Sequence, residues 1–365
     1  MHPDFQHLMH RATQLTQAGD LSAATAAIQA ALRGGLAAAP RRQDDADVID
    51  VEAWEVPDPA RTSDATPHVV GDAAQPVPKP AVAGDTFTAG TFRNSSGQRG
   101  YKLYVPPNPD GAPRPLVVML HGCTQDADDF AAGTAMNAAA REQGFHVLYP
   151  IQSRDANPQK CWNWFKHNHQ QQGRGEPSIL AGMTREVIAA HNIDPTRVYV
   201  AGLSAGGAMA AILAGAYPEL YAAAGVHSGL AAGAASDLPS ALSAMKGVGL
   251  KTAAPASNGV PVIVFHGDRD ATVHPANADS VIAASVRPDV RVETVRVAGA
   301  GGKRDSTRHV YRDAAGNIVA ERWDVHGAGH AWAGGSDQGS YTDRTGPDAT
   351  AEMLRFFLAR TSRAR

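Results

Sequence analysis

Short apolar runs alternate with helical patterns over most of the chain. The run "PLVVMLHG" at 115–122 is uninterrupted, as is typical of a strand buried on both faces. Comparable runs, "FHVLYP", "RVYVAGL" and "VPVIVFHG", are separated by segments with apolar residues three and four positions apart. One such segment, "DDFAAGTAMNAAAREQG", is predicted to be helical. The alternation predicts an α/β fold, with a mostly parallel sheet flanked by helices on both faces.

The first 35 residues have helical periodicity of their own. Two stretches with apolar residues on one face are separated by "AGD", and the second ends at Gly34 and Gly35. We therefore predict a helical hairpin over residues 1–35. Such a hairpin is too short to enclose a core, so we expect it to dock elsewhere or to associate with a partner.

Residues 36–84 are rich in Ala, Pro and Asp, which is the composition of a linker. We predict a disordered spacer, although its apolar stretch "VIDVEAWEV" could instead pair with a partner. The alternating pattern follows, so we place the catalytic domain at 85–361.

Composition narrows the function. The chain of 365 residues carries 33 Lys and Arg against 36 Asp and Glu, a net charge of −3. It has no long basic run, which argues against nucleic-acid binding. No stretch has the roughly 18–20 apolar residues of a membrane span. The start lacks the apolar segment of a secretory signal, so we predict a cytoplasmic location.

The sequence "GLSAGG" places Ser204 directly after a predicted strand and before a predicted helix. A serine in G-x-S-x-G at such a turn projects its hydroxyl outward, and the glycines let neighbouring backbone approach. The alternative is a purely structural tight turn made of small residues. The context favours Ser204 as a nucleophile.

A nucleophilic serine needs a histidine base and an orienting carboxylate, here expected in the order Ser, Asp, His. The segment "HGDRDATV" offers Asp268 and Asp270, and "VHGAGHAW" offers His326 and His330. We favour Asp270, which lies further into its loop, and His330, which lies among glycines. Asp268 is interpreted as a turn residue beside a glycine.

An oxyanion needs backbone N–H donors. The residue after the nucleophile, Ala205, supplies one, and the loop after an early strand supplies the other. In "LHGCTQ" that second donor is the N–H of Cys123. Alternatively, "HG" there merely ends a strand.

Five motifs in order, "LHGCTQ", "CWNWF", "GLSAGGAM", "HGDRDATV" and "GAGHAWAGG", resemble the polyhydroxybutyrate depolymerase family of esterases. The resemblance covers about residues 86–360 and implies an α/β-hydrolase fold. Its pattern has a carboxylate at Asp270 and a catalytic histidine at His330. It also implies a possible disulfide between Cys123 and Cys161. A reducing compartment would disfavour that bond.

The resemblance implies a pocket near "CWNWF", where Trp162, Trp164 and Trp332 offer flat apolar surface. Core packing is the alternative for each ring. The histidines at 167 and 169 are too few to indicate a metal site, so we expect no metal and no cofactor.

By this resemblance the protein is expected to be a serine esterase that hydrolyses hydroxyalkanoate polyester or its oligomers. Because no secretory signal is recognised, the chain resembles the intracellular branch of the family. In such a protein we expect the hairpin at 1–35 to bind a storage granule or to form a homo-oligomer. A feruloyl or acetylxylan-type esterase would use the same triad. An acyltransferase and a non-catalytic granule-binding protein are further alternatives.

Overall fold

The structure is a computed structural model that describes residues 84–108, 110–250 and 259–362. The predicted helical hairpin at 1–35 lies outside these residues, as does all but the last residue of the predicted linker at 36–84. Both stay predictions, and so do the domain boundaries. In the described ranges, no helix combines the length and apolar character needed to cross a membrane.

Ten strands of the described chain form one sheet. They are β1 (Thr86–Asn94), β2 (Gly97–Val105), β3 (Arg114–Leu120), β4 (His146–Ile151), β5 (Ile193–Leu203), β6 (Ala223–His227), β7 (Val262–Gly267), β8 (Arg291–Val297), β9 (Ser306–Arg312) and β10 (Ile318–Val325). Their order across the sheet is β1-β2-β4-β3-β5-β6-β7-β10-β9-β8. The central six run parallel, and an antiparallel pair lies at each edge.

Helices cover both faces of this sheet. They are α1 (Ala127–Thr134), α2 (Met136–Gln143), α3 (Gly175–Ala190), α4 (Ala205–Ala216), α5 (Leu238–Met245), α6 (Ala276–Ser285) and α7 (Ala349–Leu358). Residues of α3, α4, α5 and α6 belong to one hydrophobic cluster, and residues of α1, α2 and α7 belong to another. The predicted mostly parallel sheet with helices on both faces is therefore confirmed.

Strand β3 shows how the sequence divides these two clusters. Leu116, Val118 and Leu120 point to the first cluster, whereas Val117 and Met119 point to the second. All five are fully buried. Because successive strand residues face opposite sides, an uninterrupted apolar run is what a strand covered on both faces requires.

The helix predicted after β3 is divided in the structure. Ala135 has a φ of +53°, so α1 ends there and α2 begins anew. The carbonyls at the end of α1 bind other segments, since Gly133 O accepts from Ser336 N (2.8 Å) and Thr134 O accepts from Thr350 Oγ1 (2.7 Å). These distant partners are not evident from helical periodicity.

The junction between β5 and α4 is unusually close. A Cβ on Gly206 would lie 2.0 Å from Leu120 O, and one on Gly202 would lie 2.4 Å from the carbonyl carbon of Gly206. No side chain fits at either point. The first turn of α4 therefore packs directly on the backbone at the end of β3, and Ser204 lies at this junction.

We expect Gly206→Ala to lower the free energy of unfolding by at least about 2 kcal/mol, because the new methyl group would overlap the Leu120 carbonyl. Gly215→Ala is the matched control on the same helix, since a Cβ there meets nothing within 4 Å. It should be neutral or stabilising by up to about 1 kcal/mol. Urea unfolding measures both variants. Equal stabilities would contradict the close packing at Gly206.

Candidate active site

Ser204 occupies a strained turn between β5 and α4. Its φ and ψ are +57° and −119°, a conformation that residues with a side chain rarely adopt. Its N–H donates to His227 O at 2.9 Å, which fixes the backbone. Among the described residues, the Ser204 hydroxyl forms no hydrogen bond. The turn thus holds a free hydroxyl at the carboxyl edge of the parallel strands.

His330 and Asp270 are joined by a hydrogen bond, with 2.7 Å between Nδ1 and Oδ2. Asp270 is only 4% exposed, and its Oδ1 accepts from the backbone N–H groups of Thr272 and Val273 at 2.9 and 2.8 Å. Burial alone would raise the pKa of Asp270. Hydrogen bonds from His266, His330 and Val273 outweigh burial and hold that pKa well below its usual range. Asp270 is therefore a buried carboxylate.

The competing candidates form a second pair. Asp268 Oδ2 lies 3.1 Å from His326 Nδ1, and the other ring nitrogen, Nε2, lies 2.9 Å from Thr307 Oγ1. Both side chains of this pair are more than 40% exposed. Asp268 Oδ1 also accepts from Gly327 N at 2.7 Å. Both ring nitrogens of His326 are thus engaged, and this pair ties two loops together.

The loops that carry Asp270 and His330 are in direct backbone contact. Arg269 N donates to Ala328 O at 3.0 Å, and a Cβ on Gly267 would lie 2.3 Å from that same oxygen. The relative position of aspartate and histidine is therefore set by main chain. The glycine-rich sequence around His330 serves this close approach.

The loop after β3 borders Ser204, since a Cβ on Gly122 would lie 3.7 Å from Ser204 Cβ. Two of its amides are already engaged, because Gly122 N donates to Gln125 Oε1 (2.9 Å) and Thr124 N donates to Gln159 O (2.7 Å). The amide of Cys123 between them has no acceptor among the described residues. Cys123, the predicted oxyanion donor, therefore has an N–H that is not engaged between two amides that are.

Ala205 supplies the second predicted donor. It is the first residue of α4, where an N–H group has no intrahelical acceptor. The helix dipole adds positive potential at this end. Ala205 and the loop of Cys123 thus both adjoin Ser204.

The structure joins Cys123 and Cys161 in a disulfide, with Cα atoms 4.2 Å apart. This bond links the loop after β3 to the segment "CWNWF" after β4. The disulfide therefore holds the side chain of Cys123. The hydrogen bonds of the Gly122 and Thr124 amides hold the backbone on either side of it.

The three tryptophans predicted to line a pocket are buried. Trp162, Trp164 and Trp332 are 0%, 5% and 1% exposed. The ring N–H of Trp162 donates to His121 O, and that of Trp332 donates to Thr350 Oγ1, both at 3.1 Å. Rings this buried offer little or no surface to a ligand. The core-packing alternative describes them, and the expected pocket wall is not what the structure shows.

Glu176 is a residue that the sequence did not single out. It is 1% exposed and lies under the "CWNWF" segment. Its Oε1 accepts from Arg99 Nη2 (3.0 Å), Gln152 Nε2 (2.5 Å) and Asn163 Nδ2 (2.7 Å), and its Oε2 accepts from Asn163 N (2.7 Å). A single Glu in the first turn of a helical pattern is ordinary, so nothing in the sequence marked it.

Gln152 extends this network toward the site. Its Nε2 also donates to Cys161 O at 2.9 Å, and its N–H donates to His121 Nε2 at 3.1 Å. Burial raises the pKa of Glu176, but the hydrogen bonds outweigh it and lower that pKa to about 2. An ionised Glu176 therefore organises the backbone beside the disulfide.

Within the described ranges, no three His, Cys, Asp or Glu side chains are grouped to hold a metal ion. His167 and His169 lie on a short 3₁₀ turn, and His169 Nδ1 is 3.6 Å from Glu176 Oε2.

A model of the family described as "Esterase PHB depolymerase" matches residues 99–309. The chain belongs to this esterase family. It is 34% identical to poly(3-hydroxyalkanoate) depolymerase C of Paucimonas lemoignei over 236 residues, 61% of this chain and 56% of that protein. It is also 34% identical to feruloyl esterase B of Thermothelomyces thermophilus over 140 residues, 38% of this chain and 47% of that protein. The chain thus spans about half the length of these relatives.

The solved acetyl xylan esterase from Aspergillus awamori shares the fold, with a TM-score of 0.51 and 24% identity. The match covers 64% of this chain and 89% of that one. This likeness confirms the α/β-hydrolase fold that the sequence motifs of the present chain implied.

We expect acid to destabilise the protein partly through Glu176. Its ordinary pKa is 4.5 and its folded value about 2. The unfolded chain therefore takes up a proton first as the pH falls. Stability from this group is complete above about pH 4.5 and is lost on approaching pH 2. A shift of this size corresponds to about 3 kcal/mol.

Urea unfolding between pH 6 and pH 2 measures this contribution. Glu176→Gln should flatten the pH dependence of the unfolding free energy, whereas Glu142→Gln, at an exposed position on α2, should leave it unchanged. Parallel curves for the wild type and Glu176→Gln would contradict the role of this carboxylate.

Proposed function

We propose that this protein is a serine esterase in which Ser204 is the nucleophile, His330 the base and Asp270 the orienting carboxylate. The observation that carries the proposal is the 2.7 Å bond between His330 Nδ1 and buried Asp270, at the sheet edge where the strained turn presents Ser204. Nucleophile, base and carboxylate in this order are the parts that acyl transfer requires.

The Asp270 carboxylate fixes the tautomer of His330. Because Asp270 Oδ2 can only accept, the proton of the neutral imidazole lies on Nδ1. Nε2 then carries the lone pair and takes the proton of Ser204 as its Oγ attacks the ester carbonyl. The resulting imidazolium is stabilised by Asp270 and returns the proton to the leaving alcohol. Water repeats the sequence to release the acyl group.

The tetrahedral intermediate carries negative charge on the former carbonyl oxygen. In our proposal the N–H groups of Cys123 and Ala205 stabilise it. Neither amide has to give up a protein partner, so little reorganisation accompanies the reaction.

We propose hydroxyalkanoate oligomers or polymer as the substrate. The match to the poly(3-hydroxyalkanoate) depolymerase covers 61% of this chain, against 38% for the feruloyl esterase. A cytoplasmic location and binding of a storage granule through residues 1–35 stay proposals. A cytoplasmic protein would keep the Cys123–Cys161 bond only if the bond resists reduction by the thiol pool.

The triad assignment is tested with paired variants. Ser204→Ala, Asp270→Asn and His330→Gln should each lower kcat for p-nitrophenyl butyrate by at least about 10³-fold. The neighbouring changes Asp268→Asn and His326→Gln should lower kcat by less than about tenfold, since that pair joins loops only. Circular dichroism checks that each variant folds.

Equal losses from both sets would refute the assignment. Labelling of the wild type by a fluorophosphonate, lost in Ser204→Ala, excludes a non-catalytic granule-binding protein.

The substrate class is tested with a panel of hydroxybutyrate trimer, amorphous polyhydroxybutyrate, methyl ferulate and acetylated xylan. We expect kcat/KM for the trimer to exceed that for methyl ferulate by at least about tenfold, a discrimination that one well-fitted subsite can supply. The reverse order would favour the carbohydrate-linked esterase and overturn the polyester proposal.

A further inference from the structure

Tyr341 lies beside the loop of Cys123 and is neither a proposed triad residue nor a proposed oxyanion donor. It directly precedes β12 (Thr342–Asp343), which pairs with β11 (Trp332–Ala333), two residues after His330. Tyr341 O accepts from Trp332 N at 2.7 Å. The Tyr341 side chain is 48% exposed, in contrast to the three buried tryptophans.

The hydroxyl of Tyr341 reaches the loop of Cys123. It lies 3.4 Å from Thr124 Oγ1, and Thr124 Oγ1 donates to Cys123 O at 2.5 Å. The Thr124 proton is thus used, so Tyr341 is the donor in the contact between the two hydroxyls. The tyrosine therefore bridges the segment of His330 and the proposed oxyanion loop.

The backbone of Tyr341 is strained, with a φ of +53°. Glycine or asparagine adopts such a conformation more easily than a bulky residue does. The neighbouring Ser340 holds the segment, because its N–H and Oγ donate to Asp129 at 2.7 and 2.5 Å and its carbonyl accepts from Gln125 Nε2 at 3.1 Å. An exposed ring at a strained position contributes little to the core. Strain of this kind clusters at functional sites.

We infer that Tyr341 is a specificity-determining residue whose ring forms a wall against the part of the substrate beyond the reacting ester. The inference rests on the proposed function and deepens it. The ring is uncharged and flat, and its single hydroxyl proton is directed to Thr124 Oγ1. This chemistry fits an extended oligoester, which offers methyl and methylene groups to the ring.

The experiment compares a small ester with a long one. Tyr341→Ala and Tyr341→Gly should lower the ratio of kcat/KM for hydroxybutyrate trimer to kcat/KM for p-nitrophenyl acetate by about 3- to 10-fold, mainly through the KM of the trimer. Glycine suits the positive φ and removes strain, so equal effects of both variants assign the loss to the ring. Tyr341→Phe should keep the ratio within about threefold of the wild type.

The control is Leu238→Ala, at another exposed apolar side chain, on α5, which should leave the ratio unchanged. An unchanged ratio in Tyr341→Ala and Tyr341→Gly overturns the inference, as does an equal loss for both esters, which would indicate a merely structural role. If Tyr341→Phe lowers the ratio as much as Tyr341→Ala does, the ring itself is not what contacts the substrate, and the inference is overturned. If the wild type hydrolyses no ester and takes no fluorophosphonate, the proposed function fails, and this inference fails with it.

Discussion

The direct contact between helix α4 and the end of strand β3 is the constraint on which the site depends. Because Gly206 has no side chain, the first turn of α4 reaches the Leu120 carbonyl, and Ser204 is forced into its strained turn beside the loop of Cys123. A larger residue would push the helix outward. Ser204 and Ala205 would then move away from Cys123, so the proposed nucleophile and its proposed oxyanion donors share one packing contact.

Two buried carboxylates have related but separate parts. Asp270 is held ionised by two backbone amides and two histidines, and Glu176 by an arginine and amide groups. An ionised buried group persists only where hydrogen bonds offset the loss of water. Asp270 holds His330, whereas Glu176 holds the backbone beside the disulfide. Two segments of the proposed site are therefore held by buried charges, one by Asp270 and the other by Glu176.

The sequence predicted what depends on local pattern. The buried run of β3, the G-x-S-x-G turn at Ser204 and the preference for Asp270 and His330 follow from periodicity and chain order, and the structure pairs those two residues. Other features depend on contacts between distant segments. The break at Ala135 is accompanied by hydrogen bonds from Ser336 and Thr350 to the end of α1. The hydrogen-bond partners of Glu176 come from three different segments, and Tyr341 lies beside the short strand pair of β11 and β12. Aromatic character alone did not distinguish the buried Trp162 and Trp332 from an exposed ring.

The bond between Cys123 and Cys161 has a mechanical consequence. The strands that precede the two cysteines, β3 and β4, are neighbours, so the crosslink closes a covalent ring that runs from Cys123 through α1, α2 and β4 to Cys161. A displacement of the "CWNWF" segment would therefore also displace Cys123, to which it is covalently linked. The position of the Cys123 amide nitrogen therefore depends on the whole disulfide-closed segment, including α1 and α2.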